Sequence, residues 1–271
     1  MRQFLAEANL EEDGTLTVSG KKYHYLREVV RVSLGDMIDV RTADGLLLKM
    51  TVAFVDGKKK CVVLQNTAQS QDDFSLQNKS VDLWLFQFIA KPVKMELIVR
   101  QAVECGVKHF VPIKGEYSQK GSLLSAQSAA SLMGNGSRWE KIIIEARQQS
   151  GSASDMQVHP CVSVEEACNL WNKVTSQLNK NESRALALYE RNENTIALHK
   201  ALKNADEIKC AAIAVGCEGG ISPLEINVLQ KNGFKTIHFA TNILRCETAA
   251  LYGTAALQNA ILEKDEWENR E

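Results

Sequence analysis

Apolar positions change their rhythm partway along this chain. Up to about residue 70 they come in short β-rich runs: TLTV (Thr15–Val18), MIDVRT (Met37–Thr42), LLLKMTVAFV and CVVL (Cys61–Leu64). Asp44-Gly45 and Asp56-Gly57 punctuate these runs. Asp-Gly between apolar runs signals a hairpin, because type I′ turns need positive φ at both central positions. Two such signals in succession predict a small antiparallel barrel or meander. Between TLTV and MIDVRT, KKYHYLREVVRV has helical spacing. Tyr23, Leu26 and Val30 share one face, expected to pack on the barrel, and His24, Arg27 and Arg31 share another. That second face is a basic stripe, which suits solvent or phosphate.

The polar stretch Asn66–Ser80 reads as a linker. Beyond it, apolar runs of strand length alternate with helical patterns. VDLWLFQFI (Val81–Ile89) precedes a helix at about Val93–Cys105, with Met95, Ile98, Ala102 and Cys105 on one face. The strand HFVPI follows, then a helix over Arg138–Gln149 and strands at ALALY (Ala185–Tyr189), AAIAV (Ala211–Val215) and TIHFA (Thr236–Ala240). Such alternation predicts an α/β domain with a mostly parallel sheet covered on both faces. The expected division is 1–71 and 78–271.

Composition narrows the setting. Of 271 residues 45 % are apolar and 24 % charged, and the net charge is −1, so a nucleic-acid partner would have to be met by a local basic patch. MRQFLAEANLEEDG lacks the apolar core of a signal peptide, and no run approaches the roughly 18 apolar residues of a membrane span. Seven scattered cysteines without a C-x-x-C argue against a disulfide framework and against a zinc site. A cytoplasmic protein without membrane or metal is expected.

The stretch AVGCEGGISPLE carries the chemistry. Ser222 is a good N-cap, Pro223 suits the first helical position and Glu225 completes a capping box, so a helix should run to about Asn232 and stop at Gly233. Gly216–Gly220 is then the turn at the carboxyl end of a parallel strand, where ligands bind in open α/β sheets. TIHFA, TNILRCET and AALYGTAALQNAIL repeat the arrangement and bring Asn242–Thr248 to the same rim, with Leu188-Tyr189-Glu190 as a third wall. There is no G-K-[ST] and no G-x-G-x-x-G. Glu218 and Glu247 would repel phosphate, which disfavours nucleotide triphosphates and dinucleotides and suits a cationic, phosphate-free ligand such as S-adenosylmethionine. A bare helix-start turn is the alternative.

GCEGGISPLE followed by ILRCETAALYGTAALQ resembles the paired signatures of the RsmE family, the small-subunit ribosomal RNA uracil-N3 methyltransferases of the SPOUT class. The similarity takes in Gly216, Glu218, Gly219, Gly220, Ser222 and Glu225, then Ile243, Leu244, Arg245, Glu247, Thr248 and Ala249. HYLREVVRVSLGD, KPVKMELIVRQAVECGV and RWEKIIIEARQQSG resemble further family segments, so the likeness covers most of the chain.

The resemblance implies a SPOUT-type parallel sheet with a C-terminal trefoil knot, an N-terminal PUA-like β-barrel, a homodimer and S-adenosylmethionine as cofactor. It implies transfer to uridine N3 of small-subunit (16S) ribosomal RNA, free or in the assembled subunit. On that basis Leu188, Gly216, Glu218, Gly219, Gly220, Ile243, Leu244 and Thr248 are the candidate cofactor-binding residues. Arg245 is the candidate for steering the uracil, and Glu247 or Glu218 for accepting its proton. His24, Arg27, Arg31, Lys94 and Arg138 are the candidate phosphate contacts. Cys217 and Cys246 depart from the pattern as small fillers in the cofactor loops. Tyr117 and Ser152 stand where the family usually has Arg, which leaves open another RNA position, a ribose 2′-oxygen, or a non-catalytic assembly factor.

Overall fold

The computed structural model describes residues 3–66, 81–152, 155–191, 195–203 and 207–263. The expected linker lies, apart from Asn66, outside the described residues. The chain divides into two units: Met1–Asn78 with Arg147–Ala153, and the remainder.

The first unit is a five-stranded sheet of β1 (Gln3–Leu5), β2 (Thr15–Ser19), β3 (Met37–Arg41), β4 (Leu47–Asp56) and β5 (Cys61–Asn66). The order is β1-β3-β4-β5-β2, with β1 parallel to β3 and the other pairs antiparallel. Both Asp-Gly signals fall at hairpins, but neither connection is a two-residue turn: Arg41 pairs with Leu47 across the first, where Gly45 alone of the Asp-Gly pair has positive φ. Across the second, Asp56 pairs with Cys61, and Asp56 Oδ1 accepts from the backbone N–H groups of Lys58 and Lys59 at 2.8 and 2.9 Å. The aspartate thus closes the turn with its side chain. Leu16, Val18, Val40, Met50, Val52 and Leu64 form the core of this sheet, joined by Tyr23 and Leu26.

The amphipathic segment departs from a single α-helix. It is a short helix α1 (Gly20–His24) running into a π-helix (Tyr25–Val30) that ends on Arg31 in the left-handed region at φ 65°. The wider π turn shifts side chains off the 3.6-residue spacing. Tyr23 and Leu26 are buried as expected, whereas Val30 is 37 % exposed instead of packing on the sheet. The QSG segment also has a role of its own. Gln3 Nε2 donates to the carbonyls of Arg147 and Ser152 at 2.9 and 3.1 Å, and buried Arg41 donates to Gln3 Oε1 and the carbonyls of Gly45 and Gly151.

The second unit is a six-stranded, wholly parallel sheet. Its strands are β6 (Asp82–Phe88), β7 (His109–Ile113), β8 (Gln157–Val158), β9 (Ser183–Leu188), β10 (Cys210–Val215) and β11 (Lys235–Ile237), in the order β11-β9-β10-β6-β7-β8. Its helices are α2 (Pro92–Glu104), α3 (Lys120–Ser131), α4 (Arg138–Ser150, whose end belongs to the first unit), α5 (Val164–Thr175), α6 (Leu198–Ala201), α7 (Pro223–Lys231) and α8 (Cys246–Leu262). The central strand β10, CAAIAV, is buried at every position. Gly253 lets α8 come close to it: a Cβ added at that glycine would lie 2.7 Å from Ile213 Cδ1. Trp84, Phe86, Trp171 and Phe234 pack edge to face elsewhere in the core. Among the described residues no helix is long and apolar enough to cross a membrane.

Candidate active site

The glycine turn takes its shape from close backbone approach. Gly220 N–H donates to Cys217 O at 3.0 Å, closing the turn on itself. A Cβ on Gly216 would lie 2.5 Å from the carbonyl carbon of Gly220, so no side chain fits there. Gly220 adopts φ +78°, the left-handed region that favours glycine, and lies against the carboxylate of Glu190. Below the turn, buried Gln87 donates through Nε2 to the carbonyls of Val215 and Gly216 at 3.3 and 3.1 Å. Ahead of α7 the capping box is present, with Ser222 Oγ accepting from Glu225 N–H and Glu225 Oε2 from Ser222 N–H.

Because β9, β10 and β11 are parallel neighbours, their carboxyl ends share one rim. There the loops after them enclose a cleft of about 400 Å³. Leu188, Tyr189 and Glu190 form one wall, the glycine turn a second, and His238 to Cys246 a third. Of the expected cofactor residues, Leu188, Gly216, Glu218, Gly219, Gly220, Ile243 and Leu244 line it, as does Arg245, while Thr248 lies exposed in the first turn of α8. Ile243 is 86 % exposed at the mouth. Arg245, the N-cap of α8, is exposed and makes no ion pair among the described residues.

Lys94 is spent on carboxylates. From the first turn of α2 its Nζ lies 3.1 Å from Glu247 Oε2 and 3.6 Å from Glu218 Oε1. Glu218 Oε1 also accepts from the Lys91 backbone N–H at 3.2 Å. One ammonium therefore joins the glycine turn to the start of α8. Burial works against the charge on Glu247, but its own backbone N–H, Lys94 and the Cys246 thiol outweigh it and hold the carboxyl below its usual range. Burial likewise works against the charge on Lys94, and the carboxylates outweigh it, raising the ammonium above its usual range. Burial and the adjacent Glu247 push the Cys246 thiol up to about 12, and burial raises that of Cys217. Both thiols stay protonated and unreactive at neutral pH.

Arg138, in the same unit, does not line the cleft. Arg138 Nη2 pairs with Glu96 Oε2 at 3.0 Å on the surface of α4. In the first unit His24 faces Glu28 at 3.3 Å, Arg27 donates to the Val32 carbonyl, and Arg31 is exposed. Gln87 and His238 were not singled out by sequence. A polar residue inside the apolar run VDLWLFQFI was the available signal for Gln87. His238 falls where the predicted strand TIHFA ends early, at Ile237, and its Nδ1 lies 3.1 Å from the Tyr189 carbonyl.

A parallel sheet whose adjacent carboxyl-end loops close over one cleft defines the class, and residues 77–258 match the family model described as an RNA methyltransferase domain. A ribosomal RNA small subunit methyltransferase E of Aquifex aeolicus is 30 % identical over 185 residues, covering 66 % of this chain and 69 % of that protein. The protein of the same name from Bacillus subtilis is 24 % identical over 268 residues, 97 % of each chain. The fold is shared with a crystal structure of a ribosomal RNA small subunit methyltransferase E from Neisseria gonorrhoeae bound to S-adenosyl methionine. That likeness has a TM-score of 0.74 at 21 % identity, over 96 % of this chain and 97 % of that one. The chain belongs to the ribosomal RNA small subunit methyltransferase E family.

Proposed function

We propose that this chain methylates N3 of a uridine in small-subunit (16S) ribosomal RNA, with S-adenosylmethionine as the methyl donor. The observation that carries this reading is the cleft itself, formed by the two signature loops on one rim, with room for a nucleoside-sized ligand. The residues present fit that cofactor. Gly216 and Gly220 leave backbone where a side chain would intrude, and the carboxylates of Glu190 and Glu218 favour a cation and disfavour phosphate. When bound, S-adenosylmethionine supplies an electrophilic methyl group on a cationic sulfur.

The protein's task is then to place N3 in line with that methyl and to make it nucleophilic. N3–H is a weak acid, so the site needs a base for its proton or a stabiliser for the uracil anion. Arg245, exposed and without an ion-pair partner at the cleft, is the group to draw in the uracil oxygens and favour the anion. Glu247 is deprotonated and able to accept a proton, but its lowered pKa makes it a weak base. We assign Lys94, together with Glu218 and Glu247, to holding the cleft walls. Arg27, Arg31 and His24 remain proposed phosphate contacts, with Arg138 in a lesser role because Glu96 already satisfies it.

The reading extends to the whole fold. A C-terminal trefoil knot, a PUA-like barrel completed around the first sheet, and domains at 1–71 and 78–271 belong to it. So does a homodimer. Exposed Ile243, Leu251 and Tyr252 on the cleft loop and α8, and Val93 and Leu97 on the adjoining α2, support an apolar contact between copies. A monomeric mass by light scattering would exclude the dimer. The function is tested with labelled S-adenosylmethionine and small ribosomal subunits lacking the modification, mapping the product by mass spectrometry. Label on uridine N3 is expected; label on another atom, or none, refutes the assignment.

A further inference from the structure

The loop Gly115–Ser118 stands beside the glycine turn and is fixed from three sides. Glu225 Oε1, beyond its part in the capping box, accepts from the Glu116 N–H at 2.7 Å. Ser118 Oγ donates to the Ile89 carbonyl at 2.8 Å and accepts from the Gly115 N–H at 3.3 Å. Gly115 itself admits no side chain, since a Cβ there would lie 2.6 Å from Phe88 Cδ1.

This fixed backbone holds Tyr117 outward, 44 % exposed. Its inner side rests on Gly219: a Cβ at that glycine would lie 2.8 Å from Tyr117 Cβ and 3.1 Å from ring atoms Cγ and Cδ2. The bare glycine is therefore the seat of the ring, and the same glycine lines the cleft. Among the described residues no hydrogen bond or ion pair engages the phenol. The structure spends a well-anchored loop on keeping an aromatic ring in water at the edge of the cleft. Packing gives no reason for that beyond the contact with Gly219.

Chemistry on a base requires the base to leave its stack, and an aromatic side chain restores part of the stacking it loses. We infer that Tyr117 is a stacking platform for a nucleobase of the RNA substrate at the entrance to the cleft. This deepens the proposed methylation and rests on it: Arg245, on the other loop, answers the oxygens of the base, and Tyr117 answers its face.

The test compares the wild type with Tyr117→Phe, Tyr117→Trp, Tyr117→Leu and Tyr117→Ala. Methyl transfer to small subunits lacking the modification gives kcat and KM, filter binding gives affinity for the same subunits, and calorimetry gives affinity for S-adenosylmethionine. Ala and Leu should raise KM and weaken subunit binding roughly tenfold, as loss of one stacked base does. Their kcat and cofactor affinity should stay within about twofold of wild type, and Phe and Trp should restore KM. Three results overturn the inference: Leu restores binding as well as Phe, cofactor affinity falls in step with KM, or every variant behaves as wild type. A wild type that transfers no methyl refutes the function instead, and filter binding still decides whether Tyr117 holds RNA.

Discussion

At the scale of single residues, charge pairing separates groups that look alike in the sequence. Lys94 and Arg245 are both cations near the two signature loops, yet Lys94 sits between two carboxylates and Arg245 pairs with none among the described residues. Lys94→Met should leave Glu218 and Glu247 facing each other without a counter-ion and loosen the cleft. S-adenosylmethionine affinity is expected to fall about tenfold by calorimetry, since a partly buried ion pair has lost one partner. The salt dependence of RNA binding should not change, because Lys94 was not neutralising phosphate; a flatter slope would return it to the RNA contacts. Arg245→Ala should do the reverse. Cofactor affinity stays near wild type, while single-turnover methyl transfer slows roughly 100-fold or more, the scale of losing a donor aimed at developing negative charge. Lost cofactor binding with unaltered RNA affinity would contradict this. The sequence could nominate both residues but not assign them, because the partners of Lys94 lie more than a hundred positions away.

Among elements, the outcome depends on how strong each local signal is. The helix α7 was fully legible: cap, proline, capping glutamate and terminal glycine all lie within its own segment. α5 carries an equally local signal in the Ser163–Glu166 capping box and the apolar stripe Val164, Ala167, Cys168 and Trp171, and it was available to be read. α3 offers little, since only Ser122 and Ala126 are buried in a serine- and alanine-rich helix whose formation depends on its neighbours. The early end of β11 and the π turn at Tyr25–Val30 lie beyond local pattern too, because both are set by pairing and packing partners. The glycine turn yields a prediction at this scale. Gly216→Ala forces a methyl group into the backbone of Gly220, which cannot rotate away. A loss of about 1–3 kcal/mol in urea denaturation is expected, with cofactor binding impaired beyond what that accounts for. An alanine variant of ordinary stability and affinity would show that the turn adapts.

For the molecule as a whole, acid sensitivity is built in at the edge of the sheet opposite the cleft. His109 contacts Asp82 at 3.4 Å and His159 at 3.1 Å, and stacks on Trp84 with 3.9 Å between ring centres. Burial, reinforced by His109, lowers His159 from 6.5 to about 4. The unfolded chain therefore binds a proton near pH 6.5 that the folded chain refuses until about pH 4. Stability should fall as pH drops through that window and level off below it, by up to about 3 kcal/mol. Urea denaturation between pH 7 and 4 measures this, and His159→Asn should flatten the curve. An equal slope in the variant would place the acid sensitivity elsewhere.

Taken alone, the sequence determined what local chemistry determines: the alternation that makes a parallel sheet, the capped turn at a strand end, and the glycine and arginine signatures that mark the family. The tertiary structure decided what depends on distant residues meeting. It brought the two signature loops to one cleft, tied Lys94 to both of their glutamates, and seated Tyr117 on Gly219. The physical reason is range. Turns, caps and periodicity act over a few residues, whereas ion pairs and close packing act over a few ångströms between residues that the chain order keeps far apart.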